Sequence, residues 1–203
     1  LRDIAALCRE HGATLALDDA HGTGVLGPNG GGTAEHFGVC DDVEISMGTF
    51  SKTFGVTGGF IAGRRELIDY LRYFSRSYMF SAHLPQPVVA AVSAGIDVLR
   101  SEPGLRQALH RNTQELVRGM NDAGFDVRTE SAIVPVVLPE SIEIRKLGRR
   151  LHEEGLFCNL IETPAVAPDA QRIRLSLMAT HSQDDVRDAL GVLTQVGREF
   201  DLI

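Results

Sequence analysis

Two short apolar runs, each ending abruptly in polar residues, constrain the fold of this chain more than any other feature. Thr14–Leu17 gives way to Asp18, Asp19, Ala20 and His21; Val43–Met47 gives way, after Gly48, to Thr49, Phe50, Ser51 and Lys52. Short β-branched and apolar runs bounded by turn formers read as buried strands rather than helices. Helix patterns alternate with them. Leu1, Ile4, Ala5, Leu7 and Cys8 recur at helical spacing, and Gly12 follows as a stop. The expected order is helix 1–11, strand 14–18, a loop over 21–42 holding Gly27-Pro28-Asn29-Gly30-Gly31-Gly32, strand 43–48, strand 58–62 and helix 64–73. Such alternation implies an α/β sheet with buried strands and covering helices.

The second half reads differently. Helices are expected over 85–99, opened by proline, and over 105–123, closed by Gly124. Strand 133–138, helix 141–154, strands 156–161 and 172–177 and helix 183–199 follow, the content of a small α+β domain. Ser101, Pro103 and Gly104 interrupt the helical region near 98–104, which gives domains 1–98 and 99–203. The sequence opens without methionine on a helix pattern, so it is expected to be the later part of a longer fold.

Composition narrows the function classes. A net charge of −7 with no basic stripe argues against nucleic acid or an anionic membrane as partner. No apolar run reaches the roughly 18 residues of a membrane span, and no signal peptide is visible. Cys8, Cys40 and Cys158 share no metal-ligand or redox spacing, so reduced thiols in a cytoplasmic protein are expected, and no metal site.

The polar strand ends carry the chemistry. A lysine among hydroxyls after one strand, and a carboxylate with an imidazole after another, match the needs of pyridoxal 5'-phosphate. Asp18 would face the pyridine nitrogen; a loop or helix cap is the alternative for it. Asp19 should point the other way and read as the structural acid. His21 would reach the phenolic oxygen, against the plainer reading of a loop histidine. Thr49, with Ser51 as helper, would bind the phosphate. Lys52 would form the imine and serve as base, while Gly55, Gly58 and Gly59 allow close backbone approach. A dinucleotide site is disfavoured, because Gly27–Gly32 does not open a helix after a strand.

Asp-Asp-Ala-His-Gly-Thr-Gly-Val-Leu-Gly at 18–27 and Gly-Thr-Phe-Ser-Lys-Thr-Phe-Gly at 48–55 resemble the α-oxoamine synthases of the class I/II aminotransferase superfamily. That group includes 8-amino-7-oxononanoate synthase, serine palmitoyltransferase, 2-amino-3-ketobutyrate ligase and 5-aminolevulinate synthase. The resemblance continues through Tyr-Met-Phe-Ser-Ala-His-Leu-Pro at 78–85 and Arg-Ile-Arg-Leu-Ser at 172–176. It implies a fold-type-I pyridoxal-phosphate transferase: the later part of the large α/β domain plus a small α+β C-terminal domain. It also implies decarboxylative condensation of glycine, alanine or serine with an acyl-coenzyme A or acyl-carrier-protein thioester. By the same resemblance Asp18, His21, Thr49 and Lys52 hold the cofactor. Ser81 reaches the phosphate of a neighbouring subunit in a homodimer with a shared active site. Arg174 holds the substrate carboxylate, as a bidentate guanidinium suits; Arg172 shares its strand face. His83 departs from the family's small hydroxyl residue, and the family's N-terminal half is absent, so the resemblance implies a chain that is inactive alone. The alternatives are another fold-type-I enzyme, such as an aminotransferase, and a non-catalytic partner subunit. His21 weighs against the first and Lys52 against the second.

Overall fold

The computed structural model describes all 203 residues, which divide into two compact units, Leu1–Pro103 and Gly104–Ile203.

In the first unit, helix α1 (Arg2–His11) ends at Gly12, whose left-handed φ of 61° lets its N–H return to the carbonyls of the last turn. Ala5 is fully buried and packs with Leu15 and Val39; Leu1, Cys8, Phe37 and Val43 surround this small cluster. Ile4 and Leu7 belong to the same apolar pattern but stay more than half exposed. Three strands follow: β1 (Ala16–Asp18), β2 (Ile45–Thr49) and β3 (Gly59–Gly63). β2 is central, parallel to β1 with Asp18 opposite Met47, and antiparallel to β3 with Thr49 opposite Gly59.

β1 is shorter than the expected 14–18. The Leu15 amide is taken by the Glu44 carboxylate at 2.9 Å, and the Leu15 carbonyl accepts from the Glu44 and Ile45 amides at 3.1 and 3.3 Å. The expected loop over 21–42 is more ordered than its glycines imply. It contains helix α2 (Thr33–Phe37) and a 3-10 turn at Cys40–Asp42. Five helical residues are too few for a periodic signal; tertiary hydrogen bonds to the first turn hold α2 instead. After β3 come α3 (Arg65–Phe74), α4 (Arg76–Met79) and α5 (Gln86–Ser101). α4 was not expected; Ser75, in an extended conformation, separates it from α3.

The second unit comprises α6 (Pro103–Ala123), β4 (Ile133–Val137), α7 (Ile144–Glu153), β5 (Asn159–Ile161), β6 (Arg172–Ser176) and α8 (Gln183–Glu199). The expected α8 boundaries coincide with the observed ones. Its Ser182 cap and Asp185 form a reciprocal capping box, a start signal written in the sequence. β6 is central, antiparallel to both β4 and β5. Leu116 and Met120 of α6, Leu147 and Leu151 of α7, and Leu193 and Val196 of α8 bury against Val134, Val136, Ile173 and Leu175 of the sheet. Each such side chain contributes about 1.5–3 kcal/mol when fully buried. No helix of either unit is long and apolar enough to cross a membrane.

Candidate active site at the carboxyl edge of the first sheet

Because β1 and β2 run parallel and side by side, their carboxyl ends meet at one sheet edge, the place where open α/β sheets bind ligands. Asp18 ends β1 there. It is exposed, and its Oδ1 accepts from the Ala20 amide at 3.0 Å, which turns the chain toward His21. His21 follows in that turn and is also exposed. Asp19 points inward at 5% exposure, as strand alternation requires. Its amide donates to the Met47 carbonyl at 2.8 Å, and its carboxylate accepts from the Thr33 amide at 2.9 Å and from the Thr33 hydroxyl. Gly22 and Gly32 pass so close to that carboxylate that a Cβ on either would overlap it. Asp19 is therefore the acid that fastens α2 and the glycine-rich loop to the sheet edge.

The lysine turn begins where β2 stops. The Phe50 amide donates to the Gly58 carbonyl, Val56 to Phe50 and Gly55 to Lys52, at 2.9, 3.0 and 3.2 Å. Gly55 and Gly58, at φ 64° and 108°, supply the left-handed positions this closure needs. Phe50 lies 5.7 Å from Phe54 and 5.8 Å from Phe60 between ring centroids, so the turn rests on an aromatic base. Gly95 of α5 leaves room for the Phe54 ring, where a Cβ would come within 2.7 Å of it. Lys52 itself is exposed above this base. Thr49 and Ser51 place their hydroxyl oxygens 2.8 Å apart, and the Thr49 hydroxyl also reaches the Gly58 carbonyl at 3.2 Å.

The structure thus brings Asp18, His21, Thr49, Ser51 and Lys52 to one edge of one sheet. Ser81 lies in the same unit, exposed between α4 and α5, with its amide 3.4 Å from the Tyr78 carbonyl. His83 is two residues on, its ring edge-on to Tyr78 at 6.3 Å. Arg174 belongs to the second unit, at the middle of β6 between Pro135 and Asn159. Arg172 shares its strand face, as the alternation with buried Ile173 requires, but its Nε donates locally to the Ala170 carbonyl at 2.9 Å. A cavity of about 650 Å³ in the second unit, lined among others by Leu175, Phe157, Val186 and Leu193, contains none of these residues.

One polar residue of this edge was not anticipated. The Thr53 hydroxyl donates to the Thr23 carbonyl at 2.6 Å, bridging the lysine turn and the loop that follows β1. The only sequence signal for it is its place next to Lys52.

Comparison with known proteins places these features. The model of the family described as aminotransferase class I and II matches residues 1–193. An 8-amino-7-oxononanoate synthase of Geotalea daltonii is 44% identical over 203 residues, 98% of this chain and 52% of that protein. A serine palmitoyltransferase of Bacteriovorax stolpii is 38% identical over 100% of this chain and 48% of its own length. The chain thus spans about half the length of the curated relatives it matches. Among solved structures, the Sphingomonas wittichii serine palmitoyltransferase superposes with a TM-score of 0.94 at 36% identity, over 100% of this chain and 52% of that one. The Francisella tularensis 8-amino-7-oxononanoate synthase shares the fold, with a TM-score of 0.82 at 21% identity, over 98% of this chain and 59% of that one. The fold is that of the fold-type-I transferases, and the chain belongs to the aminotransferase class I and II family.

Proposed function

We propose that the full-length protein is a pyridoxal-phosphate-dependent α-oxoamine synthase, condensing glycine, alanine or serine with an acyl thioester. In that reaction the amino-acid α-carbon bonds to the acyl carbon, the thiol leaves, carbon dioxide is lost and a 2-amino ketone is released. One observation carries the reading: an exposed lysine and the paired hydroxyls of Thr49 and Ser51 stand at the end of β2, at the edge where the parallel neighbour β1 ends in Asp18.

The donor set at this edge fits the cofactor. The Lys52 amine suits its aldehyde, the hydroxyls of Thr49 and Ser51 suit its phosphate, the Asp18 carboxylate its ring nitrogen and the His21 imidazole its phenolic oxygen. When bound, pyridoxal phosphate supplies an electron sink for negative charge at the amino-acid α-carbon. Asp18 keeps the ring nitrogen protonated, and Lys52 takes the proton from the α-carbon. Arg174 holds the substrate carboxylate through paired N–H donors.

On the same reading, Leu1–Pro103 is part of the large cofactor-binding domain and Gly104–Ile203 is the small C-terminal domain. The protein is a homodimer in which Ser81 reaches the partner's phosphate site. Support comes from the α3–α4 surface beside it, where Tyr73, Phe74 and Phe80 are 71%, 67% and 83% exposed, unusual for aromatic side chains that nothing covers. A cytoplasmic location accords with three unpaired cysteines.

The test offers the loaded full-length protein glycine, alanine or serine with a labelled carboxylate, together with acyl-coenzyme A of short and long chains. Equal release of labelled carbon dioxide and free thiol is the expected outcome. Transfer of the amino group to a keto acid, with no thiol released, would make the protein an aminotransferase.

A further inference from the structure

We propose that Thr53 is a positioning residue, holding the lysine turn at a fixed spacing from the loop that carries His21. The hydrogen bonds around it close a circuit. From β2 the chain enters the lysine turn, and the Thr53 hydroxyl crosses to the Thr23 carbonyl at 2.6 Å. The Thr23 amide and hydroxyl both donate to the Asp19 carbonyl, at 3.0 and 2.9 Å. The Asp19 amide returns to β2 through the Met47 carbonyl at 2.8 Å.

Two glycines make room for this circuit. At Gly24, whose φ is 79°, a Cβ would collide with the Thr53 methyl group. At Gly48 a Cβ would stand 2.9 Å from the Thr23 hydroxyl oxygen and would overlap the Phe60 ring. Lys52 is adjacent to Thr53 and His21 lies two residues before Thr23, so the crossing sets the distance between the two carriers. The Thr53–Thr23 bond lies at an exposed site, so its weight falls on local geometry more than on global stability.

Valine at position 53 keeps the shape and removes the donor, whereas serine keeps the donor and removes the methyl group. In the cofactor-free full-length protein, T53V is expected to speed hydrogen exchange about tenfold at the Val25 and Leu26 amides and at the Gly55 and Val56 amides together. T53S is expected to stay near the wild type. Unchanged exchange in T53V, or equal loss of protection in both variants, would overturn the tie.

The second arm rests on the pyridoxal-phosphate reading. Here the pH midpoint of the bound cofactor's visible absorbance is followed in the loaded full-length protein. T53V is expected to move it by about half a pH unit, the size of a weakened hydrogen bond, and T53S to leave it in place. An unmoved midpoint in T53V would overturn the positioning role, since a merely structural threonine changes melting temperature without moving the midpoint. A wild-type protein with no visible band would instead overturn the cofactor reading, while the exchange data still decide whether the tie exists.

Discussion

The two units bury their apolar side chains to very different degrees. The second has a cluster of fifteen buried apolar residues drawn from three helices, a sheet and the segments beside them. The first has Ala5, Leu15 and Val39, with Tyr70, Tyr73, Phe74, Tyr78 and Phe80 left on the surface. Yet the first unit carries the lysine, the carboxylate, the imidazole and both hydroxyls of the candidate site. What holds that edge is polar: Asp19 on Thr33, Thr53 on Thr23, and Glu35 accepting from the Asn29 side chain and the Gly31 amide at 2.6 and 2.7 Å. Hydrogen bonds fix direction better than they supply stability, because each contributes only about 1 kcal/mol net. The second unit is built the other way, with a deep core and polar groups at its helix ends.

This contrast can be broken most forcefully in the second core. Leu116→Ala should cost about 3–5 kcal/mol, read as lost hydrogen-exchange protection along β6 and α8. Leu15→Ala, in the small cluster of the first unit, should cost no more than about half of that. Equal losses would mean that the first unit is cored as firmly as the second. A smaller effect tests the chemistry proposed for the second unit. Arg174→Ala in the full-length enzyme should raise KM for the amino acid by roughly 10–100-fold, with the acyl donor little affected, while Arg172→Ala should do far less. Equal effects of the two would transfer the role to Arg172.

The mildest test concerns the α8 cap. Ser182→Ala should destabilise the helix by about 1 kcal/mol. The backbone N–H of Ser182, then its hydroxyl, holds the Asp185 carboxyl below its ordinary value, and the His181 charge adds to the effect. A carboxyl depressed on folding stabilises above its unfolded value near 3.8, and that contribution disappears as pH falls through the lower folded value. α8 protection should therefore decline below about pH 4 in the wild type, and Ser182→Ala should flatten that decline only in part, because the backbone N–H remains. An unchanged acid limb would show that the Ser182 hydroxyl does not contribute to it.

Legibility in the sequence followed the same division. The long helices α5, α6 and α8 were readable to within two residues, the end of α6 by Gly124, while α7 begins three residues later than expected. Of the second-unit strands, β4 lies in the continuous apolar run 133–138, whereas β6 alternates apolar residues with arginines and β5 begins three residues later than expected. What was not readable depends on tertiary hydrogen bonds. α2 exists because Asp19 and Thr33 meet across fourteen residues, and β1 is trimmed because Glu44 captures the Leu15 amide. The site residues of the first edge are legible from residue type at strand ends, and the structure brings Asp18, His21, Thr49 and Lys52 to one sheet edge. The role of Thr53 is not legible in the sequence because its partner is a backbone carbonyl thirty residues away, which no local pattern encodes.

The central claim is that Lys52 holds the cofactor, and the most direct measurement is to reduce the loaded full-length protein with borohydride, digest it and sequence the labelled peptide. A single pyridoxyl group on Lys52 is expected, and none in Lys52→Ala. A label on Lys146, the only other lysine of this chain, or a label that survives Lys52→Ala, would contradict it.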